Sequence, residues 1–206
     1  MTYLKFIKIL VIGCILFLSG CSPVKTTVNN NTYLCTLNAR GTTPSNKTYY
    51  FSNSSKQIDN ELEYKEYLNK LRVILSEIGY IETNQASAEL CISLDYQIGN
   101  SYRYGNSSVS VSDMYSAYSK TTEDYRMPLL VEIKAYNNNT KTPIWEVIVN
   151  DILDRESQLQ SVMPFIFLCS QNYFGKTSNG EQAVTLTLTR ELEEKYGLIW
   201  PYSLKF

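Results

Sequence analysis

The feature that most constrains the fold is a pair of alternating runs joined by a polar turn, MPLLVEIKAY, NNNTKT and PIWEVIVNDI, over residues 127–152. In the first run Leu129, Val131, Ile133 and Ala135 share one parity; in the second Trp145, Val147 and Val149 do. A period of two is that of a strand with one buried face. Asn137–Asn139 are residues that tolerate positive φ, as a turn between two strands requires. The prediction is a β-hairpin with one apolar face, which needs another layer to cover it.

The rest of the chain supplies that layer. AELCISLDYQI alternates Leu90, Ile92, Leu94, Tyr96 and Ile98 with Glu89, Cys91, Ser93, Asp95 and Gln97, a further half-buried strand. Tyr33–Asn38 and KTYYFSN read as strands before it. Between them SSKQIDNELEYKEYLNKLRVILSEIGY places Tyr64, Tyr67, Leu68, Leu71, Ile74, Leu75 and Ile78 at steps of three and four. That is an amphipathic helix, with Ser55 or Asp59 as its cap, Gly79 at its end, and Glu61, Lys65, Glu66, Lys70 and Glu77 on a solvated face. One apolar stripe packs most simply on a sheet. ESQLQSVMPFIFLCSQNYFG is apolar and helical in pattern, with Pro164 near its start or at a kink. Its apolar run is too short for a bilayer and is expected inside protein.

In EQAVTLTLTRELEEKYG, Val184, Leu188, Leu192 and Tyr196 recur at steps of four, which predicts a helix, although the threonines favour a strand. GNSYRYGNSSVSVSDMYSAYSKTTEDYR is open to two readings, a hairpin that extends two long strands or a mobile loop. Strands joined by hairpins, with helices segregated, indicate an α+β fold: a mostly antiparallel sheet with helices packed on one face.

Ahead of this domain stands MTYLKFIKIL VIGCILFLSG CSPVK. Lys5 and Lys8 precede an apolar run from Ile9 to Leu18, shorter than the ~20 residues a spanning helix needs. Leu18-Ser19-Gly20-Cys21 resembles a bacterial lipobox. The expectation is cleavage before Cys21 and lipidation of Cys21, against an ordinary secretory signal with an incidental cysteine. Acyl chains add about 0.8 kcal/mol per buried methylene, and several together anchor durably. Residues 1–20 are then the lipoprotein signal peptide, 21–32 the lipidated N-terminus and flexible tether, and 33–206 a single periplasmic domain. Ser22, rather than Asp, follows Cys21 and favours the outer membrane in the usual sorting pattern. The expected location is its periplasm-facing leaflet.

Composition narrows the chemistry. The net charge is −1 and no basic run stands out, so nucleic acid has no electrostatic footprint. The chain contains no histidine, which excludes Ser-His-Asp and Cys-His catalysis and His-ligated zinc. No cofactor or metal motif is present, so none is expected. Of the five cysteines, Cys14 leaves with the signal and Cys21 carries lipid. Cys35, Cys91 and Cys169 remain, as buried thiols or as one disulfide and one thiol. If one pair forms, Cys35 with Cys91 is expected, since both lie on predicted strands.

Taken together, the lipobox, KTYYF before the long helix, LSEIGY at its end, SAELCISLDY opening the next strand and the hairpin LLVEIKAYNNNTKTPIWEV resemble bacterial lipoproteins grouped as domain of unknown function forty-one thirty-six. The resemblance covers roughly residues 33–200. It implies an α+β domain held at the membrane by lipid and facing the periplasm, and brings no catalytic residues with it.

Two kinds of candidate site remain. Asp151, Asp154 and Glu156, and Glu191, Glu193 and Glu194, are the densest acidic groups. Acid–base work needs a pocket that separates their pKa values, so a solvated surface is the favoured reading. The tyrosine-rich stretch 96–125 is the better binding candidate. There Tyr102, Tyr104, Tyr115 and Tyr118, with Tyr96 and Tyr125 beyond them, flank Arg103, a composition suited to a glycan or a protein groove. The functional expectation is a non-enzymatic, membrane-anchored envelope module that binds an envelope protein or glycan. The alternative is an accessory subunit of outer-membrane transport or assembly, similar in plan to the small α/β lipoprotein that plugs the lipopolysaccharide translocon.

Overall fold

A computed structural model describes residues 32–52, 61–109, 119–154 and 158–198. The proposed signal peptide, the lipidation site and the helix caps Ser55 and Asp59 lie outside these residues. The strands are β1 (Thr32–Gly41), β2 (Thr48–Phe51), β3 (Ile81–Glu82), β4 (Leu90–Ile98), β5 (Tyr102–Val109), β6 (Ser119–Asn137), β7 (Pro143–Leu153) and β8 (Gln182–Thr187). The helices are α1 (Glu61–Glu77), α2 (Leu159–Ser170) and α3 (Arg190–Tyr196). Seven strands form one sheet in the order β3-β2-β4-β6-β7-β1-β8, and β5 pairs with β6 outside that order. The fold is α+β and the sheet mostly antiparallel. Among the described strands only β2 runs parallel to its neighbours, β3 and β4, because α1 carries the chain back between β2 and β3.

The predicted hairpin is the centre of the sheet. β6 and β7 pair Val131 with Val149, Ile133 with Val147 and Ala135 with Trp145, so both apolar faces point the same way. Tyr33, Cys35, Leu37 and Ala39 of β1 and Leu90, Ile92 and Leu94 of β4 continue that buried face. The helices cover it. The Tyr64 hydroxyl of α1 donates to the Leu94 carbonyl at 2.9 Å, and Tyr67 meets Tyr96 edge-on at 5.8 Å. From α2, Phe165 lies 5.0 Å from the Tyr33 ring. The helix α2 is buried nearly all round, which explains an apolar run without a polar face. Pro164 falls inside it, and Gln160, whose carbonyl loses its hydrogen-bond partner there, is exposed. Among the described residues no helix is long and apolar enough to cross a membrane.

The helix expected across 181–197 divides in two. Gln182–Thr187 is β8, paired antiparallel to β1, and only Arg190–Tyr196 is helical. The four-residue spacing coincides with an alternation in which Val184 and Leu186 turn toward the core while Ala183, Thr185 and Thr187 are exposed. β-Branched residues next to an unpaired strand edge settle the strand. Thr189 then starts α3 by accepting from the Leu192 N–H at 3.3 Å, and Gly197 ends it at φ 59°.

Candidate functional site

The alternation that fills the core also defines the opposite face of the sheet. Pro128, Leu130, Glu132 and Lys134 of β6, Glu146, Asn150 and Ile152 of β7 and Leu34 of β1 point away from the helices, by parity with the buried residues between them. Two adjoining depressions lie there. One, of about 330 Å³, is lined by residues including Gln97, Tyr102, Pro128, Leu130, Asn150 and Ile152. The other, of about 360 Å³, shares Gln97 and Leu130 and continues to Asp95, Glu132, Lys134 and Tyr136.

The first depression is the apolar end. Leu34 is 60% exposed, and Ile152 and Tyr102 are each 42% exposed. Ile152 lies opposite Pro128, and Leu34 points to the same face of the sheet from β1, two residues before the last β1–β7 pair, Thr36 with Asn150. Large apolar side chains exposed side by side mark an interaction surface more often than isolated ones do. The second depression is the charged end. Lys134 Nζ reaches Glu132 at 2.7 Å and Glu146 at 3.0 Å. Burial works against the ammonium charge, but the hydrogen bonds to both carboxylates outweigh it and hold the lysine above its ordinary range.

A local irregularity positions Tyr102 at the rim. β4 pairs with β6 as far as Ile98 opposite Leu129, and β5 resumes at Tyr102 opposite Arg126. Four steps on one side oppose three on the other, which is a bulge. The Gly99 N–H donates to the Pro128 carbonyl at 2.7 Å, while Pro128 has no N–H to return. Beyond the bulge β5 and the first part of β6 form a two-stranded ribbon, so the stretch open to two readings is a hairpin extension over Tyr102–Val109 and Ser119–Arg126.

Of the tyrosine-rich candidates, Tyr102 lines the apolar depression. Arg103 and Tyr104 lie on β5, where the backbone alone is described, and Tyr115 and Tyr118 lie outside the described residues, as does Cys21. Tyr96 belongs instead to the helix side, against Tyr67.

A second cluster, at the edge of the core, was not legible in the sequence. The Tyr33 hydroxyl donates to Asp151, whose other oxygen accepts from the Ile152 N–H at 2.7 Å. Burial raises the Asp151 carboxyl above the ordinary range, against the lowering effect of those two hydrogen bonds. Asp151 is thus half-buried and bonded to Tyr33 rather than fully solvated as expected; Asp154 is exposed, and Glu156 lies outside the described residues. Glu191 and Glu194 are exposed, with Glu194 paired to Arg190. Cys35, Cys91 and Cys169 are free and buried. The expected Cys35–Cys91 pair does not exist. Three inter-strand steps, about 14 Å, separate β1 from β4, and the two thiols stand on opposite faces of the sheet. Among the described residues no group of three potential ligands from histidine, cysteine, aspartate and glutamate could hold a metal ion.

Comparison with known proteins agrees with the fold. The family described as Domain of unknown function (DUF4136) matches residues 38–167, and the chain belongs to that family. No curated protein matches it. A PDZ domain protein from Parabacteroides distasonis is similar in fold at TM-score 0.51 and 13% identity, over 76% of this chain. The chain spans only 39% of that protein's length. A PelC dodecamer from Paraburkholderia phytofirmans aligns at TM-score 0.39 and 9% identity, over 71% of this chain and 99% of that one.

Proposed function

We propose that this member of the DUF4136 family is a non-enzymatic envelope lipoprotein, anchored through Cys21 in the outer membrane and facing the periplasm, that binds an envelope protein or glycan. The observation that carries this reading is the exposed apolar group Leu34, Ile152 and Tyr102 on the helix-free face, beside a charged end built from Lys134, Glu132 and Glu146. An apolar patch with a polar rim is the composition of a binding surface. A polar tether ahead of Thr32 gives that surface reach from the membrane.

Two experiments test the two halves of the reading. Replacing Cys21 with Ser should move the protein from the membrane to the soluble fraction and abolish lipid labelling; retention unchanged would refute the anchor. A photocrosslinking residue in place of Ile152 should capture a discrete partner in cells, while one in place of Leu62, exposed on α1, should not. Equal capture at both positions, or none at Ile152, would refute the binding face. Membrane transport or assembly complexes would appear as a stoichiometric barrel protein in the same crosslink.

A further inference from the structure

The register between β1 and α2 brings two thiols together. Tyr33 and Phe165 are in ring contact at 5.0 Å, and both belong to the buried face between strand and helix. Two residues along a strand advance about 6.7 Å, and four residues along a helix about 6 Å. Phe174, just past the end of α2, stacks on Trp145 at 5.0 Å, and Trp145 pairs with Gly41, so the helix runs along β1 in the same direction and the next pair in step is Cys35 and Cys169. The backbones of β1 and α2 approach within 8 Å. Each of these two cysteines is 2% exposed, and the electrostatics of the Cys169 thiol are set by the neighbouring Cys35. We propose that Cys35 and Cys169 form a disulfide that ties α2 to β1, with a small disulfide of the glutathione class as oxidant.

In the balanced step, one protein thiolate attacks a sulfur of the donor disulfide, giving a mixed disulfide and one released thiol. The second protein thiolate displaces the remaining donor half. Each protein sulfur loses its proton and one electron, and the donor leaves as two reduced thiols. The bond requires an S–S separation of about 2.05 Å and Cα atoms within about 7 Å of each other, a short approach for two elements whose backbones already come within 8 Å. Exchange belongs to the folding chain rather than the finished fold. Once docked, Cys169 is held well above the usual thiol range by the neighbouring Cys35 thiol and by burial, so little thiolate is available. The inference is independent of the binding role proposed above.

The test uses the full-length protein, unfolded and then refolded with reduced and oxidised glutathione. Free thiols are blocked with iodoacetamide under denaturing conditions; the protein is then reduced, labelled with N-ethylmaleimide and mapped by peptide mass. The expected result is maleimide on Cys35 and Cys169 and acetamide on Cys91. Acetamide on both Cys35 and Cys169, or maleimide on Cys91, overturns the proposal. In Cys35→Ala or Cys169→Ala the remaining member of the pair should carry acetamide under the same conditions. Because labelling is done on denatured chains, the wild-type map decides even if either variant folds poorly.

Discussion

Tyr33 and Asp151 are joined by a hydrogen bond from phenol to carboxylate, within the layer of side chains that β1 and β7 turn toward the helices. Burial makes this carboxyl harder to ionise in the fold than in the unfolded chain, where it ionises near pH 3.9. Between that value and its raised value in the fold, the unfolded chain holds fewer protons. The stability contributed by the protonated carboxyl is thus complete below the unfolded value and is lost as pH rises through the window. Asp151→Asn keeps an acceptor for Tyr33 and removes the titration. Thermal melts from about pH 7 down to about pH 4 should show wild type gaining on the variant as pH falls. A difference that does not change with pH would refute this.

Gly41 has φ +136°, and a Cβ there would stand 2.4 Å from the Ile144 carbonyl oxygen and the Trp145 Cα. Neither backbone atom can yield without disturbing β7. Gly41→Ala should therefore cost at least about 1–3 kcal/mol, read as a lower urea midpoint. Gly180, at φ +74° with nothing within 4 Å, bears only the backbone penalty of about 1 kcal/mol. Equal losses for the two substitutions would show that the contact at Gly41 carries no weight.

Lys134 holds Glu132 and Glu146 together on the helix-free face. Lys134→Met leaves two carboxylates facing one another and should lower stability by about 1 kcal/mol. Adding Glu132→Gln should return part of that loss, because it removes one of the repelling charges. Chemical denaturation of the two variants checks it, and no recovery in the double variant would mean that the ion pairs do not interact as a group.

Leu34 and Ile152 are exposed, so replacing either with Lys should change stability by no more than about 0.5 kcal/mol. The same changes should abolish crosslinking from neighbouring positions on that face. Coupled loss of folding and binding would place these side chains in the core instead.

Much of this architecture is legible in local pattern. The parity of Leu129 to Ala135 and of Trp145 to Val149 gives the correct faces, and Tyr64, Tyr67 and Leu71 give the face of α1, because each depends on neighbours along the chain. What fails is non-local. Val184, Leu188, Leu192 and Tyr196 fit a helical period by coincidence, and only the free edge of β1 selects the strand. Cys35 and Cys91 lie on strands, as expected, but strand order sets them apart, and α2 rather than β4 packs over the stretch of β1 that holds Cys35. Asp151 looked solvated beside Asp154, yet the alternation of β7 turns it inward. On the helix-free face, Tyr102 belongs to the tyrosine-rich stretch that composition singles out, whereas the exposure of Leu34 and Ile152 follows from the parity of β1 and β7.

The 19-residue strand β6 runs without interruption from the ribbon into the middle of the sheet, paired first with β5 and then with β4 and β7. Mechanically it is a cantilever: its root is clamped on both sides, and its arm has a single partner strand among the described residues. The clamp begins at Pro128, under the apolar patch formed with Ile152 and Tyr102. A load on the ribbon is thus delivered to the backbone beneath the patch, so a partner that grips the arm strains the same stretch of chain on which it would rest.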